Sequence, residues 1–305
     1  MLGKQNGNAI KVIKKKNVIY NFSPEHVPID TVNLDEDFWV ETEDCYSGQI
    51  NTEKDLRPNI DISIMDASTG PIRINNIVAG DVICITVKEI KLASQGVMVT
   101  SPGLGLLGDM IKEPNTKIIH IKDGYAYFTE KIKLPLTPMI GVLGVAPEQG
   151  EIHCATPGDH GANMDTKDIK SGSKVYFPVF VNGANLAMGD LHACMGDGEL
   201  SGTGIETAGR VKLNVVKVQT SKLLMPVVET EDAFMVISSE KTFKEAAKKG
   251  IKYSVELLQI VFNLNFPDAY RLLSATCDLR VSQIVNPLIT VRISIPKLLV
   301  KTLFG

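Results

Sequence analysis

The sequence has no apolar run of about 18 residues, the length that a membrane-spanning helix requires. Its polar first residues also lack the apolar centre of a secretory signal peptide. Basic residues are not in excess, because 32 Lys and Arg stand against 35 Asp and Glu for a net charge of −3. These absences argue against a membrane protein and against a nucleic-acid-binding protein, which would need a basic face. We therefore expect a soluble enzyme without membrane or nucleic acid partners.

Paired cysteines are missing as well. The five cysteines are odd in number and scattered, and no two stand in C-x-x-C spacing. A secreted disulfide framework or a structural zinc cluster would need paired or closely spaced cysteines. The sequence therefore predicts reduced thiols and a cytoplasmic location. Its 305 residues suffice for one large domain or two moderate ones.

Strand-like segments dominate the chain up to residue 225. Runs rich in β-branched and aromatic residues alternate with Gly, Pro, Asn and Asp. This pattern predicts a mainly β protein, a layered antiparallel β-sandwich, over residues 1–225. The predicted strands are 10–13, 17–22, 37–42, 70–74, 81–90, 117–121, 125–128, 173–181, 185–189, 202–205 and 210–218.

The pattern changes after Pro226. Thr242 and Glu245 have the spacing of a capping box at a helix start, and apolar residues then recur every three or four positions up to Phe262. A shorter helix is predicted from Pro267 onward. Strands are predicted at 235–237, 278–284 and 288–295, so residues 226–305 form a smaller C-terminal α+β layer.

The glycine-rich segment 94–114 lacks a periodic apolar pattern. Its length suits a lid, an oligomer arm or a plain surface loop. Together with the apolar face of the long predicted helix, it offers surface for a homo-oligomer, most simply a dimer.

Asp190 and His192 are the strongest candidates for metal ligands. Residues two apart on a β-strand point from the same face. The Gly-Asp-Gly turn at 196–198 then reverses the chain, and Glu199 is predicted to begin a return strand within reach of that face. An imidazole between carboxylates is a donor set typical of zinc sites. A polar surface hairpin is the alternative.

A second polar loop at 156–168 supplies further candidates. Asn163 and Asp165 again stand two apart, so that Asp165 becomes the next candidate ligand. We expect the apolar strand 173–181, which separates the two polar regions, to hold both at one end of a sheet. Asp44 is a further candidate if the turn at 44–49 folds over the pocket, and a turn-forming role is its alternative.

The stretch 141–206 resembles the acetamidase/formamidase family of amide hydrolases. The motifs that carry the resemblance are Gly-Val-Ala-Pro at 144–147, Pro-Gly-x-His-Gly-x-Asn-Met-Asp at 157–165, Pro-Val-Phe-Val at 178–181, Gly-Asp-x-His-Ala at 189–193, Gly-Asp-Gly-Glu at 196–199 and Gly-Thr-x-Ile-Glu at 202–206. Matching segments at 44–50, 69–72, 79–82, 274–280 and 283–286 extend it over nearly the whole chain. Two residues of the 157–165 motif differ from the family pattern: Asp159 stands where proline is frequent, and Ala162 stands where a second glycine is common. These differences affect the expected shape of that loop.

The resemblance implies metal-dependent hydrolysis of a short aliphatic amide, such as formamide or acetamide, to a carboxylate and ammonia. A divalent metal, zinc first and calcium second, would polarise the carbonyl, and a carboxylate would carry the proton to the leaving nitrogen. Glu148 and Glu199 are the candidates for this acid/base role. We favour Glu148 because the preceding proline fixes its loop, although both glutamates could simply brace their loops through hydrogen bonds.

The remaining residues of the 156–168 loop are candidates for contact with the substrate. His160 could hold the substrate carbonyl or serve as a further ligand, and a histidine bonded to the loop backbone is the alternative. Gly158 and Asn163 are candidates for substrate binding, since the resembling motif contains both.

Three other interpretations stay open. A cysteine nucleophile is one, because Cys154 and Cys194 lie inside the resembling stretch. A non-catalytic β-sandwich binding module with a calcium-type oxygen site is another, although histidine is a poor ligand for calcium. A structural or interaction protein is the third, and it leaves the polar loops without a purpose.

Overall fold

The structure is a computed structural model that describes residues 10–220 and 223–304. Its strands up to residue 144 are β1 (Lys11–Ile13), β2 (Val18–Ile19), β3 (Asn21–Phe22), β4 (Asp30–Val32), β5 (Asp37–Thr42), β6 (Ser68–Ile74), β7 (Val82–Leu92), β8 (Gln95–Thr100), β9 (Asn115–Lys122), β10 (Tyr125–Tyr127), β11 (Lys133–Pro135) and β12 (Met139–Gly144). Single turns of 3-10 helix lie at Arg57–Asn59, Ile62–Ile64 and Gly108–Met110.

The elements that follow are β13 (Ile152–His153), β14 (Gly161–Asn163), β15 (Lys174–Pro178), β16 (Leu186–His192), β17 (Glu206–Thr207), β18 (Gly209–Val218), β19 (Val227–Glu229), β20 (Ala233–Glu240), α1 (Phe243–Phe262), α2 (Phe266–Thr276), β21 (Asp278–Gln283) and β22 (Ile289–Pro296). The predicted fold class, mainly β with a C-terminal α+β part, is confirmed.

Two large sheets organise these strands. A nine-stranded sheet has the order β1-β5-β18-β7-β15-β19-β20-β22-β21. An eleven-stranded sheet has the order β11-β10-β9-β8-β17-β16-β12-β14, and β6 joins it by pairing with β16 while β2 and β4 pair with β6. Neighbouring strands are antiparallel except for the parallel pairs β1–β5 and β4–β6. A short separate ribbon pairs β3 with β13.

Apolar side chains from both sheets meet in one core. Ile83 and Ile85 of β7 and Ile140 and Leu143 of β12 all have 0% exposure and belong to the same cluster. Burying such a side chain stabilises the fold by roughly 1.5–3 kcal/mol. The packed sheets therefore give a rigid support for polar residues at the strand ends.

The C-terminal elements follow their local sequence signals. The Thr242 hydroxyl caps α1 by accepting from the Glu245 backbone N–H at 3.2 Å. Leu258 of α1 and Leu273 of α2 pack against a second core that includes Ile293 of β22. No helix in the two described ranges has the length and apolarity needed to cross a bilayer.

Hydrogen bonds within the nine-stranded sheet cross the domain boundary that was predicted at residue 225. Strand β19 pairs with β15, so strands from both sides of that boundary share the nine-stranded sheet. The division into domains 1–225 and 226–305 stays a prediction.

The prediction of a loop over residues 94–114 was wrong at its start. Strand β8 begins at Gln95, and its Val97 and Val99 are buried. Gly96 allows the strand to approach the chain at Ile205, because a Cβ there would stand 2.5 Å from the Ile205 side chain. Glycine weakens the sequence signal for a strand but permits this close packing.

Candidate active site

Strand β12 brings the two polar motifs together. Its Val142 lies opposite Asn163 of β14 on one side and opposite Gly189 of β16 on the other. The motifs are therefore adjacent because their strands flank a common partner. The expected cause, a strand at 173–181 tying both loops to one edge, was wrong, since β15 belongs to the other sheet.

His192 lies at the centre of a buried acidic cluster. Its Nε2 atom is 3.0 Å from Glu206 Oε2, 3.2 Å from Asp190 Oδ1 and 3.9 Å from Asp165 Oδ1. The four side chains are almost inaccessible to solvent, with exposures of 1% for His192 and 2% for Asp190 and Glu206. The structure thus brings together the predicted residues Asp165, Asp190 and His192.

Glu206 and Asp66 belong to the same group, although neither was predicted from the sequence as a site residue. Glu206 lies on β17 directly opposite His192 of β16. Asp66 comes just before β6, which pairs with β16 at Ser68 and Gly189. Glu206 is the last residue of one of the motifs that carry the family resemblance, so the sequence did contain a signal for it. Asp66 stood outside those motifs, so only the strand pairing reveals it.

The predicted hairpin geometry needs a correction. Glu199 does not begin a return strand, because the chain makes a longer excursion and pairs again only at Glu206 and Thr207. The strand expected at 202–205 is loop. Glu199 nevertheless turns inward, with 7% exposure, and its Oε2 atom is buried without a hydrogen-bond partner among the described residues.

Three acidic residues of the cluster have left-handed backbone conformations. The φ angles are +53° at Asp190, +41° at Asp165 and +48° at Glu199. This region is sparsely populated by residues other than glycine and costs of order 1–3 kcal/mol each. Its occurrence at three neighbouring carboxylates indicates that the fold holds these side chains in a fixed arrangement.

Burial and mutual repulsion change the acidities in the cluster. Burial raises the pKa of Asp165 to about 6 and that of Asp190 to about 7, and a neighbouring carboxylate adds to each rise. Burial alone would lower the pKa of His192, but Glu206 and Asp190 outweigh it and raise that pKa well above its usual range. The pKa of Glu199 is raised, first by burial and then by Asp165. Within the described chain, the carboxylates therefore outnumber His192, the one positive group that pairs with them.

Amide side chains hold Asp165 in place. Asn286 Nδ2 donates to Asp165 Oδ2 at 2.6 Å, from the segment that follows β21. Asn163, with its amide nitrogen turned toward Asp165, donates to both carboxylate oxygens at 2.9 Å. Asn163, a predicted substrate-binding residue, is therefore at the cluster, and Asn286 is a further member that the sequence analysis did not identify as a site residue.

Asp44 lies at the margin of this group. Its Oδ1 accepts from the backbone N–H groups of Tyr46 and Gly48 at 2.9 and 3.0 Å, which is the turn-forming role. Burial raises its pKa, and Asp190 is near enough to contribute to the rise. The adjacent residue Cys45 is grouped more closely with Asp190 and Glu206.

The structure does not bring Glu148 to the cluster. Glu148 is exposed on the loop beyond β12. The expectation that Pro147 directs its side chain into the site is therefore not met, since the chain has already left the sheet at that point. Pro147 restricts its own backbone angle, but this does not determine whether the Glu148 side chain faces the cluster or the solvent.

His160 and Gly158 also lie apart from the carboxylates. His160 is buried with its ring edge-on to Phe22 at 5.4 Å, and burial lowers its pKa to about 4. The backbone N–H and C=O of Gly158 both bond to Gly161, so neither is free for a substrate. Gly158 thus shapes the loop, whereas the His160 imidazole makes no hydrogen bond to the loop backbone in the described chain, and its Nε2 atom is buried without a partner.

A cavity of about 350 Å³ opens onto the cluster. Its buried wall includes Asp66, Asp190, Glu199, Glu206 and Asn163. Partly exposed residues from four separate segments complete the lining, namely Arg57, Met65, Leu104, His153, Val285 and Asn286. The acidic group is thus accessible to a small molecule.

Two sets of buried donors could hold a metal ion. Atoms of Asp165, His192 and Glu199 all lie within 4.8 Å of one another, and so do atoms of Cys45, Asp190 and Glu206. Within residues 10–220 and 223–304, the neighbouring carboxylates form ion pairs with His192 only. A cation would offset this surplus of negative charge.

Comparison with known proteins gives matches over most of the chain. The profile of the acetamidase/formamidase family matches residues 8–154 and 149–301. The crystal structure of an acetamidase from Bacillus halodurans is 41% identical with a TM-score of 0.91, over 94% of this chain and 97% of that chain. A predicted acetamidase/formamidase from Thermoanaerobacter tengcongensis is also 41% identical, with a TM-score of 0.93 over 96% of this chain and 97% of that chain.

A shorter match links the chain to a formamidase. The formamidase of Methylophilus methylotrophus is 52% identical over 60 residues, which span 19% of this chain and 15% of that protein. The aligned part is thus well under two thirds of that relative. The family profile and the two solved structures cover nearly all of this chain, and the chain therefore belongs to the acetamidase/formamidase family, a family of amidohydrolases.

Proposed function

We propose that this protein hydrolyses short aliphatic amides to a carboxylate and ammonia with the help of a divalent metal ion, zinc most simply. The observation that carries the proposal is the position of His192, between three carboxylates, of which Asp190 and Glu206 line a solvent-accessible cavity. A buried imidazole surrounded by acidic oxygens is typical of a catalytic metal site.

The donor set fits a divalent ion on chemical grounds. Without a cation, the His192 imidazole would have to balance several buried carboxylates, and its Nδ1 atom has no hydrogen-bond partner in the described part of the chain. A protonated imidazole needs acceptors at both nitrogens, so that arrangement leaves one buried N–H unsatisfied. The ion would be held by Asp190, His192 and Asp165. We propose Asp44 as a further ligand.

The presence of nitrogen and sulfur favours zinc over calcium. His192 lies inside the cluster, and Cys45 is within reach of Asp190 and Glu206. Calcium prefers sites built from oxygen alone, whereas zinc accepts imidazole and thiolate ligands. The same argument disfavours a non-catalytic calcium-binding module.

When bound, the ion would polarise the amide carbonyl and lower the pKa of a water molecule. Glu199 supplies the proton transfer, taking a proton from the attacking water and delivering it to the departing nitrogen. Its buried, unpaired Oε2 atom and its raised pKa suit a group that must both accept and donate a proton near neutral pH. The Asn163 amide, next to Asp165 in the cavity wall, would orient the substrate.

Ammonia release from formamide, acetamide and propionamide, measured with and without a chelator, tests the proposal. We expect activity that the chelator abolishes and that zinc restores, with about one ion per chain by elemental analysis. His192→Ala should lose metal and activity together while far-UV circular dichroism stays that of a β protein. His120→Ala, a change at an exposed histidine of β9, is the matched control. Full metal content and turnover in His192→Ala would refute the assigned ligand set.

We further propose that the protein acts in the cytoplasm as a homo-oligomer, most simply a dimer. Apolar side chains on the two helices support an interface, because Phe243, Phe266 and Tyr270 are 44%, 54% and 51% exposed. Light scattering at micromolar concentration checks this proposal, and a monomer would contradict it.

A further inference from the structure

The cavity above the cluster is larger than formamide or acetamide requires. Its volume is about 350 Å³. A water molecule takes about 30 Å³, so the four heavy atoms of acetamide would fill roughly a third of this space. A substrate of about eight heavy atoms would fill most of it.

The cavity wall changes in character from the buried end to the opening. The buried end is acidic, with Asp190, Glu199 and Glu206. The outer wall has apolar contributions from Met65, Leu104 and Pro287. A second cavity, of about 550 Å³, shares only Glu199 with the cluster and does not reach Asp190. The smaller cavity therefore contacts more of the acidic group than the larger one does.

Arg57 provides a positive charge in the outer wall. It is the one Lys or Arg that lines this cavity in the described chain. Its side chain is half-exposed and has neither an ion pair nor a side-chain hydrogen bond within residues 10–220 and 223–304. A guanidinium without a protein partner at the mouth of a cavity is available for a carboxylate, which it can bind through two parallel hydrogen bonds.

We infer that the preferred substrates are amides with a carboxylate at their far end, and that Arg57 binds this carboxylate. The inference rests on the proposed amide hydrolysis and adds the class of substrate. Electrostatics fixes the orientation of such a molecule. The acidic end of the cavity repels the carboxylate, whereas Arg57 attracts it, so the uncharged amide end is directed toward His192 and Glu199.

The reaction itself stays hydrolysis. Water adds its oxygen to the carbonyl carbon, the C–N bond breaks, and the two water protons end on the new carboxyl group and on the departing nitrogen. A monoamide of a dicarboxylic acid would thus give the dicarboxylate and ammonia. Arg57 makes the same contact in the ground state and in the transition state, so it is a specificity residue whose effect should lie in KM.

Two amides of equal size test the inference. Succinamate has a carboxylate at its far end, and 4-oxopentanamide has an uncharged methyl ketone there. We expect the zinc-loaded wild-type protein to have a kcat/KM about 10- to 100-fold higher for succinamate, because a hydrogen-bonded ion pair adds roughly 1.5–3 kcal/mol and each 1.4 kcal/mol is a factor of ten. Arg57→Met should reduce this ratio to near one through the KM for succinamate, and Arg57→Lys should retain part of it.

Lys54→Met is the matched control, since it removes a positive charge from the same segment at an exposed position outside the cavity wall. It should keep the wild-type ratio. A ratio near one in the wild type, or an unchanged ratio in Arg57→Met, overturns the inference while acetamide hydrolysis still supports the proposed function. If the metal-loaded wild type hydrolyses none of these amides, acetamide included, the proposed function is wrong and the inference falls with it.

Discussion

Gly141 lies directly beneath the Asp190 carboxylate. A Cβ atom on Gly141 would stand 2.2 Å from Asp190 Oδ2 and 2.7 Å from Asp165 Oδ1. Strand β12 therefore carries no side chain where the carboxylates of Asp190 on β16 and of Asp165, two residues beyond β14, converge. The absence of a side chain at residue 141 leaves the space in which the acidic cluster forms, which explains why a glycine occupies the middle of a fully buried strand.

Gly141→Ala should displace both carboxylates while the sheet persists. Real Cβ atoms do not approach other atoms so closely, and a displacement of about 1 Å at a catalytic site can cost about 100-fold in rate. We expect kcat/KM for acetamide to fall by about that factor and the metal to bind more weakly, measured by ammonia release and by chelator competition.

Gly196→Ala is the control for this substitution. A Cβ atom at residue 196 would meet no atom within 4 Å. Its activity should stay within about twofold of the wild type, as for most surface substitutions. Equal losses in the two variants would mean that glycine flexibility, and not the space at residue 141, accounts for the effect.

Glu199→Gln should lower kcat for acetamide by about 10²–10⁴, because glutamine keeps the size of the side chain but cannot accept the proton. Glu148→Gln is the matched control, since Glu148 is exposed outside the cluster. It should leave kcat unchanged. Elemental analysis of both variants separates the roles of Glu199: if Glu199→Gln loses its zinc, the residue is a ligand and not the base. Near-normal turnover in both variants would contradict a glutamate base.

The site was partly predictable because some of its geometry is local. Asp190 and His192 share a face through the two-residue period of a strand, and the sequence shows that period directly. Asp165 was reachable through its spacing from Asn163. The long helix was equally accessible, because the Thr242 cap and the apolar spacing are local features.

The site residues that the sequence did not reveal are brought in by contacts between distant segments of the chain. Glu206 meets His192 through the register of β16 with β17, which the length of the intervening loop hides. Asp66 arrives through the pairing of β6 with β16. Asn286 reaches Asp165 across 121 residues of chain. Such contacts are set by tertiary packing, so composition and periodicity did not reveal them.

Asp168 and Asp197 should stabilise the protein jointly through Arg292, a residue of β22 with 0% exposure. Arg292 Nη2 donates to both Asp197 oxygens at 2.7 and 2.8 Å, and its Nε lies 2.9 Å from Asp168 Oδ2. Asp168→Asn or Asp197→Asn alone leaves one countercharge. We expect the double variant to leave a buried charge unpaired and to lose about 3–5 kcal/mol in the free energy of unfolding.

A double-mutant cycle in denaturant measures this coupling, since residues in one network do not act additively. The partly exposed pair of Lys212 and Asp37, 3.4 Å apart, is the control and should contribute at most about 1 kcal/mol. If the losses in the free energy of unfolding from the two Asn substitutions simply add up, the two aspartates do not act jointly on Arg292, and this prediction is wrong. The result also bears on the site, because Asp197 lies two residues before Glu199.

His160 should make the stability of the protein depend on pH between about 4 and 6.5. Burial lowers its pKa in the folded state to about 4, from 6.5 in the unfolded chain. Between these values the unfolded state binds the proton and the folded state does not, so stability is fully present above pH 6.5 and is lost as the pH falls toward 4. The expected loss at pH 4 is about 3 kcal/mol, because each pKa unit corresponds to about 1.4 kcal/mol.

The comparison of metal-free wild type with His160→Phe isolates this contribution, since the acidic cluster titrates equally in both and cancels in the difference. Phenylalanine keeps a ring against Phe22 but cannot bind a proton. The difference in the free energy of unfolding, wild type minus variant, should decrease by about 3 kcal/mol from pH 7 to pH 4. His120→Phe, at an exposed position of β9, is the matched control for replacing a histidine by phenylalanine. A constant difference for His160→Phe would mean that water reaches His160 in the folded protein, and the burial that the fold gives this loop would have to be revised.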